Sequence, residues 1–180
     1  MSEFKMTSKD LGHLPNELIS ALQGVYASAE LTLTTLPKRD AEGAEYGACS
    51  FHLNGRSIVF RTAKTTPTKI GQFVTLWKRS QPSSPIAPFD SSDNIDFVVV
   101  SVSDGIHRGQ FVFNQKILIA KGILSQDTKG GKRAFRLYPP WTKPSSPQAL
   151  KTQQWQLSYF FKISESGNTN LKEVLRLFSA

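Results

Sequence analysis

The stretch between Phe60 and Arg79 carries the residue types that contact phosphate groups. Lysines and arginines neutralise phosphate oxygens, while threonine hydroxyls and backbone amides fix the position of a strand without reading its bases. The cations of this stretch are Arg61, Lys64, Lys69, Lys78 and Arg79. A solvated loop between two strands is the alternative interpretation. We expect the stretch to contact the backbone of a nucleic acid.

A second basic stretch, residues 129–141, has similar properties. Gly130 and Gly131 allow the backbone to approach a ligand, and strand alternation places Lys132 and Arg136 on one face. Arg133 would extend this patch from the loop end of the strand. The glycine pair lacks the following Lys-Ser/Thr of a P-loop, so the sequence does not support ATP binding.

The charge of the chain is distributed in blocks. The net charge is +8, and residues 46–89 contain six lysines and arginines and no acid, while residues 105–162 contain ten against Asp127 alone. Such blocks predict a positive field on one side of the folded protein, which favours a polyanion as partner. DNA is the expected partner, and RNA is the alternative. A solvated basic face without a partner is the competing interpretation.

Metal-dependent hydrolysis of nucleic acid is a second hypothesis. It requires clustered carboxylates to hold Mg²⁺ and a lysine to activate water. The candidates are Glu45, Asp96 and Lys64, but Gln110 stands where a second carboxylate would be needed beside Asp96. Cys49 is the single cysteine and the histidines show no ligand spacing, so neither a zinc site nor an internal disulfide is expected. No cofactor is expected unless the nuclease hypothesis holds.

Turn residues and apolar spacing divide the chain into helices and strands. Asn54-Gly55 favours the type I′ turn of a hairpin, and residues 96–102 are typical of a buried central strand. Phe73 and Trp77 are expected in the core rather than stacked on bases. The predicted helices are 15–29, 114–122, 146–161 and 170–178, the predicted strands are 48–53, 56–62, 72–77, 96–102, 109–113 and 132–138, and 36–47 is predicted as a loop. This order describes an α/β or α+β fold with a mixed central β-sheet and flanking helices.

Length and composition are typical of a folded globular protein. The 180 residues, 39% of them apolar, suit a single domain, and no apolar run approaches the length of a membrane helix. The first ten residues lack the apolar stretch of a secretory signal. We therefore expect a cytoplasmic protein that has no membrane partner.

Seven stretches of the chain resemble the MepB family of small bacterial proteins. They are 45–51 (EYGACSF), 60–79 (FRTAKTTPTKIGQFVTLWKR), 87–90 (APFD), 109–113 (GQFVF), 130–134 (GGKRA), 138–141 (YPPW) and 151–155 (KTQQW). The resemblance divides the chain into an N-terminal helix and loop (1–44), a MepB-like core (45–162) and a C-terminal helix (163–180). One departure is Asn114, where we would expect proline in the family.

The resemblance implies a restriction-endonuclease-like fold, similar to PD-(D/E)XK nucleases, and nucleic-acid binding. The acid and acid-x-lysine constellation of those nucleases is not visibly intact in this sequence, which agrees with a binder that kept the groove and lost the metal. The first hypothesis is therefore a non-catalytic DNA-binding protein that is largely independent of sequence. Its binding residues would be Arg61, Lys64, Lys69, Lys78, Arg79, Lys132, Arg133 and Arg136. A third hypothesis is a protein-interaction or small-ligand module at the aromatic corner 138–141, and homodimerisation is left open.

Overall fold

A six-stranded sheet forms the centre of the fold, and three further strands form a smaller sheet beside it. The structure is a computed structural model that describes residues 5–180, so the first four residues of the predicted N-terminal segment lie outside the described residues. The strands are β1 (Leu33–Arg39), β2 (Cys49–Leu53), β3 (Arg56–Thr62), β4 (Lys64–Thr65), β5 (Gln72–Thr75), β6 (Phe97–Asp104), β7 (His107–Asn114), β8 (Ala134–Leu137) and β9 (Phe160–Lys162).

Short helices connect and flank these strands. They are α1 (Ser8–Leu11), α2 (Asn16–Ser20), which continues into a π-helical turn (Ala21–Tyr26), α3 (Gln115–Ala120), α4 (Pro147–Gln156) and α5 (Leu171–Phe178). Asparagine side chains cap two of these helices, because Asn114 Oδ1 accepts from the Ile117 amide and Asn170 Oδ1 accepts from the Glu173 amide. Among the described residues, no helix combines the length and the apolarity that crossing a bilayer requires.

The central sheet has the strand order β1-β2-β3-β6-β7-β9, and only β3 and β6 run parallel to each other. The predicted hairpin is confirmed, since Asn54 and Gly55 have φ angles of 50° and 75°, as a type I′ turn requires. The apolar run predicted as a central strand lies in β6, between β3 and β7. The predicted mixed sheet with flanking helices is therefore confirmed.

Side chains of the central sheet alternate between two apolar clusters, one on each face. Along β6, Phe97 and Val99 belong to the first cluster, whereas Val98 and Val100 belong to the second. Residues of α2, the π-helical turn and α5 complete the first cluster, and residues of α3 and the smaller sheet complete the second. We call the two sides the first face and the second face. The smaller sheet, which carries Lys64 and Arg136, therefore packs on the second face.

Several predicted boundaries are wrong. The strands predicted at 72–77 and 132–138 are shorter, since β5 ends at Thr75 and β8 spans Ala134–Leu137. Residues 36–39, predicted as the start of a loop, belong to edge strand β1, and Pro37 is accommodated there because an edge strand does not need every backbone amide. The helix predicted to reach Phe161 ends at Gln156, because Phe161 is needed in β9, where it is 2% exposed and lies opposite Gln110 of β7. The N-terminal helix ends at Tyr26 rather than at residue 29.

Candidate nucleic-acid interface

The outward side of the smaller sheet carries a row of cations and aromatic rings. Its strand order is β4-β5-β8, and the antiparallel register places Lys64 opposite Phe73 and Phe73 opposite Arg136. Directly opposed residues share one side of a sheet, so these three side chains form a line across all three strands. Lys64 is exposed and the other two are half-buried. The adjoining positions Gln72 and Leu137 are buried, which places them on the inward side.

Neighbouring side chains of this row contact one another. The Arg136 guanidinium lies 5.6 Å from the Phe73 ring centroid, and the Phe73 ring lies 6.1 Å from that of Tyr46. Lys64 Nζ lies 4.7 Å from the Tyr46 ring centroid, which is cation–π distance. Burial and the nearby Glu45 carboxylate raise the pKa of Tyr46. We call Lys64, Tyr46, Phe73 and Arg136 the basic row.

Arg136 also holds the loop that joins β4 to β5. Its Nη2 donates to Thr66 Oγ1 at 2.7 Å, and its Nη1 donates to the carbonyl oxygens of Ile70 and Gly71, both at 3.3 Å. Lys69 lies in the same loop and is exposed. One guanidinium therefore ends the basic row and positions the loop that presents a further cation.

Gly71 is expected to be the least replaceable residue of this loop. It has a φ of +86°, and an added Cβ would lie 2.8 Å from both the Leu137 carbonyl oxygen and the Tyr138 ring. Gly71→Ala should lower the free energy of unfolding by about 3 kcal/mol, through left-handed strain plus this clash. The measurement is urea denaturation. Gly55→Ala is the matched control, since Gly55 also has a positive φ but an added Cβ there meets nothing within 4 Å. Equal losses in the two variants would contradict the close contact.

A groove separates β8 from α4, next to the basic row. It contains a cavity of about 380 Å³ lined by Lys121, Lys132, Arg136, Tyr138, Thr152 and Trp155, among others, and by no carboxylate of residues 5–180. A second hollow of about 320 Å³ shares Arg136 and Tyr138 with it and adds Lys69. The buried Gln156 fixes the two walls, because its Oε1 accepts from the Tyr138 amide and its Nε2 donates to the Arg136 carbonyl, both at 2.9 Å.

Three of the eight predicted binding cations lie against carboxylates from distant parts of the chain. Lys78 Nζ is 2.6 Å from Asp93, and Arg79 Nε is 2.8 Å from Glu42. Arg61 is 2% exposed, and its Nη1 lies 3.6 Å from an Asp40 oxygen. Burial lowers the pKa of Arg61, and the Asp40 charge opposes that shift. Residues 46–89 contain no acid, but in the folded protein carboxylates from other parts of the chain neutralise three of their cations.

The other five predicted cations have no carboxylate within 4.0 Å among residues 5–180. Lys64, Lys69, Lys132 and Arg136 lie in the basic row, its loop or the groove. Arg133 is directed elsewhere, because its Nε donates to the Ile86 carbonyl at 3.2 Å. The structure thus brings together four of the eight residues. It also adds Lys121 and Tyr46, which the sequence did not single out.

Phe73 and Trp77 were expected in the core, and that prediction is wrong. Both side chains are half-buried, and a guanidinium lies over each ring. The Arg136 guanidinium is 5.6 Å from the Phe73 ring centroid, and the Arg79 guanidinium is 5.6 Å from that of Trp77. The inward positions of β5 are taken by Gln72 and Val74, so strand alternation turns Phe73 outward. An aromatic residue at strand spacing does not reveal which side of the strand is covered.

The three candidate nuclease residues do not share a site. Asp96 precedes β6 and lies beside the start of β3, where it accepts from the Ser57 amide at 2.8 Å and faces Arg56 at 3.6 Å. Glu45 adjoins Tyr46, which contacts Lys64 beyond the other end of β3. The length of β3, about 20 Å at 3.3 Å per residue, separates the two ends. No group of three or more His, Cys, Asp and Glu side chains in residues 5–180 could hold a metal ion.

Gln110 has a structural role in the core. It is fully buried, its Oε1 accepts from the Tyr26 hydroxyl at 2.6 Å, and its Nε2 donates to Ser101 Oγ at 2.9 Å. The hydroxyl of Tyr26 comes from the π-helical turn, so this network lies on the first face, away from the smaller sheet. The side chain that stands in for a second carboxylate therefore faces away from the basic row.

The aromatic corner at 138–141 packs against its own chain. Trp141 stacks on His107 with the ring centroids 5.2 Å apart and meets Phe160 edge-on at 5.8 Å. Tyr138 is the member of the corner that lines the groove. A protein partner at this corner stays a prediction.

Asp90 is a buried anchor for the turn that precedes the second basic stretch. One of its oxygens accepts from Ser125 Oγ at 2.6 Å and from the Thr128 amide at 3.1 Å, and the other accepts from Ser92. These hydrogen bonds, led by that from Ser125, hold the pKa of Asp90 well below its ordinary value. The ionised carboxylate thereby stabilises a turn in which Thr128 has a positive φ.

Acidification should weaken this anchor. Because the folded-state pKa of Asp90 is depressed, its contribution to stability is present above the unfolded-state pKa and is lost as the pH falls below about 4. Asp90→Asn should lower the urea midpoint at pH 7 and reduce the fall in midpoint between pH 7 and pH 3. Asp104→Asn, which removes an exposed carboxylate near another turn, is the control. If the urea midpoint of Asp90→Asn fell between pH 7 and pH 3 as much as that of the unmodified protein, Asp90 would not contribute to the acid dependence of stability.

The chain is similar to a known protein family and to solved structures. A family model described as MepB-like matches residues 40–162. A crystal structure of MepB matches with a TM-score of 0.68 and 29% sequence identity, covering 89% of this chain and 99% of that chain. The bacterial homing endonuclease I-Ssp6803I matches with a TM-score of 0.43 and 12% identity, covering 78% of this chain and 86% of that one, which is too low to establish a shared fold. No curated protein matches the chain.

Proposed function

Because the chain belongs to the MepB-like family and, among residues 5–180, presents cations without a carboxylate within 4.0 Å around one small sheet, we propose that it binds nucleic acid. The bound partner is DNA, contacted through its sugar–phosphate backbone largely without regard to sequence, and RNA is the alternative. The binding is non-catalytic. The restriction-endonuclease-like fold is an expectation that is based on the family resemblance.

The basic row is the observation that carries this proposal. Lys64 and Arg136 flank the rings of Tyr46 and Phe73, so cations stand at both ends of an aromatic platform. Proteins that bind single strands combine cations that follow the phosphates with rings on which bases stack, and backbone-directed binding to duplexes relies on the cations alone. The groove extends the cationic surface with Lys132 and Lys121.

The positions of the acidic residues also favour this surface as the binding site. The described carboxylates that neutralise predicted cations are Asp40, Asp93 and Glu42, and none of these lines the groove. Residues 105–162 carry ten lysines and arginines against Asp127 alone, and β8 and α4 both lie within that segment. A positive field therefore remains where the basic row and the groove meet.

A salt titration tests the proposal. Fluorescence anisotropy of a labelled duplex and a labelled single strand should show affinity that falls steeply as salt rises, because each neutralised phosphate releases counterions. Lys64→Ala/Lys132→Ala should reduce the magnitude of the log–log slope by about two and weaken all sequences alike.

The matched control is Lys9→Ala/Lys172→Ala, which removes two exposed lysines from α1 and α5. Its salt slope should equal that of the unmodified protein. Binding that does not respond to salt, or equal losses in the two double variants, would overturn the proposed function.

A further inference from the structure

The cavity in the groove touches the basic row at Arg136, and its lining is chemically distinctive. Lys121, Lys132 and Arg136 contribute three cations, while Trp155 and Tyr138 contribute two aromatic rings. Within the part of the chain that the structure describes, no carboxylate lines it. Its volume of about 380 Å³ falls within the range of pockets that hold small organic ligands.

We propose that this cavity holds a single nucleotide unit, with the phosphate on its cations and the base against Trp155. This inference rests on the proposed function and deepens it, because a strand lying along the basic row would place one unstacked nucleotide in the groove. The expected preference is for single strands and strand ends over an intact duplex, in which every base is already stacked and paired.

Trp155 is held in a position suited to a base. Its ring packs against Phe113 with the centroids 5.5 Å apart, and it also lines the cavity. Lys121 Nζ lies 5.4 Å from the Trp155 ring centroid, and both side chains are accessible to solvent. A flexible lysine above an indole can move aside for a base while its ammonium stays close to the incoming phosphate.

The cations of the cavity differ in mobility. Arg136 is fixed by Thr66, Ile70 and Gly71, so it offers a preorganised charge at the end nearest the basic row. Lys132 is exposed, and its backbone amide donates to the Ile123 carbonyl at 2.9 Å, which positions it at the rim. A phosphate would therefore be met by the fixed Arg136 and by the mobile Lys121 and Lys132, next to the ring that would carry the base.

Adenosine 5′-monophosphate is the probe for this cavity, with ribose 5-phosphate as the probe that lacks a base. Stacking on Trp155 should quench tryptophan fluorescence as the mononucleotide is added, whereas ribose 5-phosphate should compete without quenching. Trp155→Phe should abolish the quenching, since Trp77 and Trp141 do not line the cavity. Lys132→Ala should weaken mononucleotide binding by roughly tenfold.

The outcomes separate this inference from the proposed function. Quenching that persists unchanged in Trp155→Phe, or no binding of the mononucleotide, overturns the cavity as a nucleotide site, while salt-dependent binding of long strands would still support the proposed function. Mononucleotide quenching without binding of long strands would support the cavity and overturn the proposed function. If Trp155→Phe is unstable, Thr152→Trp, which fills the cavity from α4, should block the mononucleotide instead.

Discussion

Arg136→Ala should weaken binding of both duplex and single-stranded DNA by about tenfold to a hundredfold at low salt. The loss combines three effects: one phosphate contact disappears, the Phe73 ring loses its guanidinium, and the loop that carries Lys69 loses its hydrogen bonds to Thr66, Ile70 and Gly71. Among residues 5–180, Arg136 is the one predicted binding cation that combines a ring contact and loop hydrogen bonds with no carboxylate within 4.0 Å. Anisotropy titrations at two salt concentrations measure both the affinity and the slope.

Arg136→Lys separates the charge from the geometry. A lysine keeps the positive charge, but it cannot donate to a hydroxyl and two carbonyl oxygens in the planar arrangement of a guanidinium. We expect the salt slope to recover while the affinity recovers only in part. Full recovery of affinity would show that the loop contacts do not matter for binding.

Arg79→Ala is the matched arginine control. Arg79 also stacks on an aromatic ring, but its Nε is neutralised by Glu42 at 2.8 Å and its Nη1 donates to the Ser84 carbonyl. Its removal should leave the salt slope unchanged. If Arg79→Ala weakened binding as strongly as Arg136→Ala, the interface would have to extend beyond the basic row and the groove.

Local signals in the sequence were sufficient for most of the fold. Asn54-Gly55 determines a hairpin because only a few residue pairs adopt two consecutive left-handed conformations. The β-branched run of β6 is buried on both faces and needs no periodicity to be recognised. By contrast, β1 and β9 are edge strands, and β9 pairs with β7, whose Gln110 lies opposite Phe161 but far from it in the sequence.

The candidate site was harder to predict, because the net charge of a sequence segment does not give the net charge around that segment in the folded protein. Arg61, Lys78 and Arg79 come from a segment without acids, yet Asp40, Asp93 and Glu42 reach them after folding. Strand alternation predicted that Lys132 and Arg136 share one face, and both line the groove, although Lys132 lies before β8, which begins at Ala134. The outward position of Phe73 could not be predicted, because it depends on which side of β5 packs against the second cluster.

Gln110→Leu should lower the free energy of unfolding by about 2 to 3 kcal/mol, which can be measured by urea denaturation. The substitution keeps the volume of the side chain but removes the acceptor of the Tyr26 hydroxyl and the donor to Ser101. Tyr26 is 1% exposed and burial raises its pKa, so the hydroxyl stays protonated and would lie in the core without its acceptor.

A double-mutant cycle attributes this loss to the network. Tyr26→Phe/Gln110→Leu removes both the donor and its acceptor, so it should cost less than the sum of the two single substitutions. Additive losses would show that the hydrogen bond between the two side chains contributes nothing. Because the network lies on the first face and the basic row lies outside the second, the folded Gln110→Leu protein should bind DNA with an unchanged salt slope. Stability and binding would then be separable properties of opposite sides of one sheet.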